Sequence, residues 1–178
     1  MIQHDILSEN SDTHWYHFDS KNKTLLDLGC GLHEQTLRNN PNQTSPIYLG
    51  EKGANRVIAI DMLQSDIDFF KNIELPNEKY TFICNKINSA QDIISLINEY
   101  KITAIKCDIE GYETNFYSLT KENMQNVLEL GIEYHSYEIL ENIIRKINEW
   151  GFTIKAKGRF AFVDCPQMGV LFCSKNIL

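Results

Sequence analysis

The chain has 178 residues, 43% of them hydrophobic, which suits one domain with a single core. Its formal charge of −7 argues against non-specific nucleic-acid binding, which needs a basic face. No apolar run reaches the length of a membrane span, and MIQHDILSEN lacks a basic region followed by an apolar one, so the expectation is a cytoplasmic protein with no membrane partner.

Residues 1–20 carry His4, His14, Trp15, Tyr16, His17 and Phe18 with little periodicity. The histidine spacing matches no metal motif. Residues 1–23 read as an arm that packs its aromatics over a pocket. Residues 24–31, TLLDLGCG, then give a short apolar run, an acid and two glycines. Leu25, Leu26 and Leu28 suit a strand buried on both faces, as in a parallel sheet. Gly29 and Gly31 let the backbone turn sharply and approach a ligand closely. Residues 38–45, RNNPNQTS, read as a polar insertion after that turn.

Residues 55–61, NRVIAID, form a second buried strand ending in an acid. A carboxylate there accepts ribose hydroxyls in nucleotide-binding sheets. Asp27 and Asp61 are 34 positions apart, further than the roughly 20 of dinucleotide binders. His33 and Glu34 stand where that fingerprint carries its third glycine. A nucleoside cofactor without pyrophosphate, such as S-adenosylmethionine, therefore fits better than NAD.

Segments 65–73, 90–100, 113–127 and 137–150 read as helices, and 79–87, 103–109 and 128–135 as strands. Ser89 with Asp92 forms a capping box, Ser136 caps the last helix, and Gly151 closes it. Residues 152–163 and 169–174 follow as two strands with no room for a crossover helix, so they pair antiparallel. The expected fold is a doubly wound α/β, Rossmann-like sheet over residues 24–178, mostly parallel with a terminal antiparallel hairpin strand. The five cysteines (30, 84, 107, 165 and 173) form no C-x-x-C pair. Cys84, Cys107 and Cys173 read as buried free thiols.

Ligands of such sheets bind beyond the carboxyl ends of the strands. All five strand ends here are polar: Asp27 with Gly29, Asp61, Asn88 with Ser89, Asp108 with Glu110, and Glu133 with His135. Asp108 and Glu110 share one side of their strand and repel unless a proton, a cation or a metal lies between them. Asp108 is placed to face a sulfonium charge, and Glu110 to hold a substrate hydroxyl or a metal. Glu133 repeats the arrangement with His135, a pairing that raises the basicity of the ring for proton removal.

The sequence resembles the FkbM family of S-adenosylmethionine-dependent methyltransferases. The likeness lies in IKCDIEGYE (105–113), similar to the family's Lys-x-Asp-x-Glu-Gly-x-Glu signature, and in IEYH (132–135), similar to its Glu-x-His strand. DLGCG and the acid-terminated second strand match the broader class I methyltransferase pattern. Leu28-Gly29-Cys30-Gly31 stands where the family usually has Gly-Ala-Asn after the first Asp. The resemblance implies that Asp27, Gly29, Cys30 and Gly31 line the methionine part of S-adenosylmethionine. Asp61 and Met62 hold its ribose and one adenine face, and Asn88 and Ser89 lie near the adenine. Asp108 stands by the reactive methyl, and Glu110, Glu133 and His135 face the substrate, with His135 as the base.

The activity expected on these grounds is O-methylation of a small hydroxylated substrate, a sugar or secondary metabolite, with S-adenosylmethionine as cofactor, no metal and no nucleic-acid partner. One alternative makes Asp108, Glu110 and Glu133 ligands for Mg²⁺. Another is a non-catalytic binding module that keeps the fold. The sequence leaves the oligomeric state open.

Overall fold

The computed structural model describes residues 3–7, 12–32, 35–160 and 167–175, and within them the side chains of residues 15–32, 37–159 and 167–175. The first half comprises β1 (Gln3–Leu7), a 3₁₀ turn (Asp12–His17), β2 (Thr24–Leu28), α1 (Gln35–Asn39), α2 (Ser45–Glu51), β3 (Arg56–Asp61), α3 (Gln64–Lys71) and β4 (Tyr80–Cys84). The second half comprises α4 (Ala90–Tyr100), β5 (Ala104–Cys107), a 3₁₀ helix (Tyr112–Ser118), β6 (Glu129–Tyr134), α5 (Tyr137–Glu149), β7 (Thr153–Phe160) and β8 (Gly169–Ser174).

These strands make one eight-stranded sheet in the order β1-β7-β8-β6-β5-β2-β3-β4. Every pairing is parallel except those of β8, which runs antiparallel between β6 and β7. The chain builds outward from β2 through β3 and β4 on one side, then returns to build through β5 and β6 on the other. The direction therefore switches between β2 and β5, the place where open α/β sheets bind ligands.

Alternation along the strands sorts the core into two layers. Leu26, Leu28, Ile58, Ile60, Ile105 and Cys107 face α4 and α5. Leu25, Val57, Ala59 and Ala104 face Ile47 and Leu49 of α2, Ile67 and Phe70 of α3, and Trp15. The caps form as the sequence predicts. Ser89 and Asp92 close a capping box on α4, and Ser136 Oγ accepts from Ile139 N at the start of α5.

Three expectations change. The helix predicted over 113–127 shrinks to the 3₁₀ helix and a set of turns, because Thr120 and Asn123 bond each other's backbone instead of continuing a helix. The polar insertion at 38–45 leads into α2, a helix that the sequence reading left out. Cys84 is exposed at the end of the edge strand β4, while Cys107 and Cys173 are buried.

The N-terminal aromatics do not cover a pocket. Trp15 and Phe18 are buried in the core against the middle of the sheet. Residues 3–7 add a parallel edge strand to β7. His33, Glu34 and Cys165 lie outside the described residues, as do the side chains of His4 and His14. Among the described residues no helix is long and apolar enough to cross a membrane.

Gly131 of β6 makes room for the N-terminal segment. A Cβ there would fall 2.7 Å from Phe18 Cδ2 and 2.9 Å from Trp15 Cζ3. Gly131→Ala is expected to cost about 1–3 kcal/mol by overpacking, read as a lower urea midpoint at unchanged slope. Wild-type stability would show that these rings do not rest on β6.

Candidate active site

The turn after β2 is held from three sides. Gly29 has φ +77°, and the amides of Gly29 and Cys30 both donate to Ile60 O, at 2.9 and 3.1 Å. A Cβ on Gly29 would lie 1.6 Å from Asp108 O, so only glycine lets β2 and β5 come this close at their carboxyl ends. Lys106 Nζ donates to Gly29 O at 2.6 Å and sits 3.1 Å from Asp27 Oδ1, both side chains fully buried. Ser45 Oγ donates to the other Asp27 oxygen at 2.6 Å. Asp27 thus anchors the turn through Lys106.

Beyond that turn lies a cavity of about 400 Å³, within the range of cofactor sites. Its walls are the glycine turn (Gly29, Gly31 and Leu32), the end of β3 (residues 60–63), the segment after β4 (residues 85–87) and the exit of β5 (residues 108–110 and Tyr112). Asp61 Oδ1 accepts from Leu63 N at 2.8 Å. A Cβ on Gly31 would come within 2.6 Å of Asp61 Oδ2, so the second glycine clears space for this carboxylate. Asp66 holds the turn from α3, accepting from Leu32 N and from Arg38. Arg38 also lies over the Phe69 ring, which ties the polar insertion into the fold. At the rim Met62 and Leu63 are more than half exposed, and Lys86 sits over the Tyr112 ring.

Asp108 also faces a second group of side chains. His135 Nδ1 is 3.1 Å from Glu113 Oε1, while Nε2 is 3.4 Å from Glu110 Oε2 and 3.6 Å from Glu133 Oε1. Glu113 is fully buried and Glu133 nearly so. Glu110 is exposed, with φ +52°, a conformation that costs a non-glycine residue of order 1 kcal/mol and is common at functional sites. Burial pulls the His135 pKa down, but the Glu113, Asp108 and Glu110 carboxylates more than reverse this and raise it above the ordinary value. Burial, reinforced by Asp108, pushes Glu133 well above the usual carboxylate range.

Of the residues singled out in the sequence, Gly29, Gly31, Asp61, Met62, Asp108 and Glu110 line the cavity. Glu133 and His135 gather beside it around Asp108. Four lie elsewhere. Asp27 is engaged with Lys106 and Ser45 behind the turn. The Cys30 side chain is buried in the core, where burial pushes its thiol well up. Asn88 and Ser89 meet the Asp92 carboxylate at the start of α4, and Asn85, Lys86 and Ile87 take the wall expected of them. The displacement arises because β4 ends at Cys84, three residues before the predicted strand does.

The sequence reading gave no role to Asp66, Tyr112 or Glu113. Glu113 had a signal, as the last acid of IKCDIEGYE. Asp66 had only its place in the first turn of α3.

No family model matches the chain, and no curated protein matches it. Solved structures do. Sp1610 of Streptococcus pneumoniae, described as a candidate tRNA (m1A22) methyltransferase, superposes at TM-score 0.62 with 17% identity over 97% of this chain and 72% of its own. The same protein has been solved with S-adenosylmethionine. Fibrillarin, a pre-rRNA processing protein of Methanococcus jannaschii, gives 0.53 with 16% identity over 89% and 70%. Ribosomal protein L11 methylase of Lactobacillus delbrueckii subsp. bulgaricus gives 0.53 with 18% identity over 88% and 71%.

The chain has the class I methyltransferase fold. At these identities the likeness establishes the fold. It also overturns the expectation of a small hydroxylated partner with nucleic acid excluded, since the similar structures are named for tRNA, pre-rRNA and a ribosomal protein. A charge of −7 is a sum over the chain and does not by itself exclude a local contact with an acidic partner.

Removing one partner of a buried pair strands the other. Asp27→Ala is expected to cost about 3–5 kcal/mol, measured by urea denaturation. A loss under 1 kcal/mol would show that the pair does not hold the turn.

Proposed function

We propose that the chain binds S-adenosylmethionine in the cavity at the switch point and transfers its methyl group to an acceptor entering on the Glu110 side. The observation that carries this reading is the pair of carboxylates at the carboxyl ends of two parallel strands lining one cavity of about 400 Å³, Asp61 on β3 and Asp108 after β5. Asp61 accepts the ribose hydroxyls, with Met62 and Leu63 against the adenine. Asp108 lies near the sulfonium, where a negative charge steadies the bound cation. The likeness of IKCDIEGYE to the FkbM signature supports the same end of the cavity as the site of transfer.

The acceptor atom attacks the methyl carbon, the carbon–sulfur bond breaks, and the acceptor's proton leaves. The sulfonium becomes a neutral thioether, so the enzyme's main task is to align donor and acceptor. Glu110, Glu133 and His135 flank the acceptor's approach. The shared fold supports the class of chemistry, and the names of the similar structures support an acceptor carried on a macromolecule.

Titration calorimetry of the full chain is expected to show micromolar S-adenosylmethionine binding, weakened at least tenfold by Asp61→Ala with the thermal melt unchanged. No binding by the wild type would overturn the reading. Incubated with an extract and methyl-labelled donor, the protein should deliver label to acid-precipitable material.

A further inference from the structure

His135 has a buried carboxylate beside one ring nitrogen. Its Nδ1 lies 3.1 Å from Glu113 Oε1, off the line of a hydrogen bond, and the Glu113 side chain has no exposure at all. A carboxylate behind one ring nitrogen is the usual support of a metal-binding histidine, because it fixes the ring and leaves the other nitrogen's lone pair outward. Here that other nitrogen, Nε2, faces Glu133 and Glu110. One donor atom from each of Asp108, Glu133 and His135 lies within 4.8 Å of the other two. Metal–ligand bonds of about 2.1 Å put ligands on one ion between roughly 3 and 4.2 Å apart, so small side-chain shifts close the set.

A second observation is independent of that spacing. Asp108 Oδ1 and Glu113 Oε2 are buried without a hydrogen-bond donor, and Glu133 has only 8% of its side chain exposed. Buried carboxylate oxygens are normally satisfied, and uncompensated ones are costly. Four carboxylates (108, 110, 113 and 133) surround a single imidazole. The nearby cation, Lys106, is committed to Asp27 and Gly29. This group offers oxygen ligands, an imidazole nitrogen and an excess of negative charge.

We propose that Asp108, Glu133 and His135 bind a divalent first-row cation, Mn²⁺ or Zn²⁺, beside the cavity. An imidazole in the set favours these ions over Mg²⁺, which prefers oxygen alone. Glu113 is a positioning residue behind the ring. The exposed Glu110, 3.4 Å from Nε2, stands on the open side where an acceptor would approach. The site's role rests on the methyl-transfer reading, because a cation there polarises the acceptor's O–H or N–H group and eases loss of its proton. Its existence does not rest on that reading.

The test is calorimetry on the chelator-treated full chain with Mn²⁺, Zn²⁺ and Mg²⁺, each alone. One equivalent of Mn²⁺ or Zn²⁺ should bind, at least tenfold more tightly than Mg²⁺. Glu133→Gln and His135→Ala should each weaken it tenfold or more, and Glu113→Gln by a similar factor. S-adenosylmethionine affinity, titrated separately, should stay within threefold in these variants, which also shows that they fold. No uptake of any of the three ions by the wild type would overturn the proposal, as would unchanged binding in both Glu133→Gln and His135→Ala. Metal binding as described without S-adenosylmethionine binding would remove the methyl-transfer reading and leave the metal site standing.

Discussion

Asp27 and Lys106 face each other across the ladder between β2 and β5, directly paired in register and both withdrawn from water. Neither charge tolerates the interior alone, since an unpaired buried charge costs several kcal/mol. The pair therefore specifies the register: a slip of one residue would send Lys106 to the opposite face and leave Asp27 without its cation. The same ammonium holds Gly29 O, so the register of two strands and the shape of the turn are one constraint. The cavity opens directly beyond it.

Much of the fold was legible because its signals are short-ranged. The apolar strands, the Ser89 and Ser136 caps and the closing hairpin all follow from patterns within a dozen residues. The parallel edge strand at residues 3–7 was not legible, because nothing in QHDIL distinguishes an edge strand from a loop until β7 is there to pair with it. Trp15 and Phe18 failed for a related reason. Their aromatic character announces burial, but only the glycine at 131 says against what.

The candidate site divides along the same line. Asp61 and Asp108 were readable from their strands. Asp27 carries the same signal, an acid at the end of an apolar run, yet serves the scaffold. The difference is Lys106, one strand away in space and 79 positions away in sequence. Asn88 and Ser89 misled in another way. A good capping box is also a polar strand end, and the cap claimed them. Strand ends in a doubly wound sheet collect polar groups for two purposes, binding a ligand and starting the next helix, and composition does not separate the two.

The exit from β5 shows how such a site gets built. Glu110 and Gly111 are both left-handed, at φ +52° and +92°. Beyond these two left-handed residues Glu113 lies back at the strand end, where its Oε1 accepts from Ile109 N at 3.3 Å and lies 3.1 Å from His135 Nδ1. The strain at Glu110, of order 1 kcal/mol, is offset by that returned contact. It also leaves the Glu110 side chain exposed between the cavity and the imidazole. One reversal thus places a wall residue of the cavity, a carboxylate behind the ring and a carboxylate in front of it. Asp108, immediately upstream, belongs to both the cavity and the His135 cluster, which is why the two cannot be altered independently at that position.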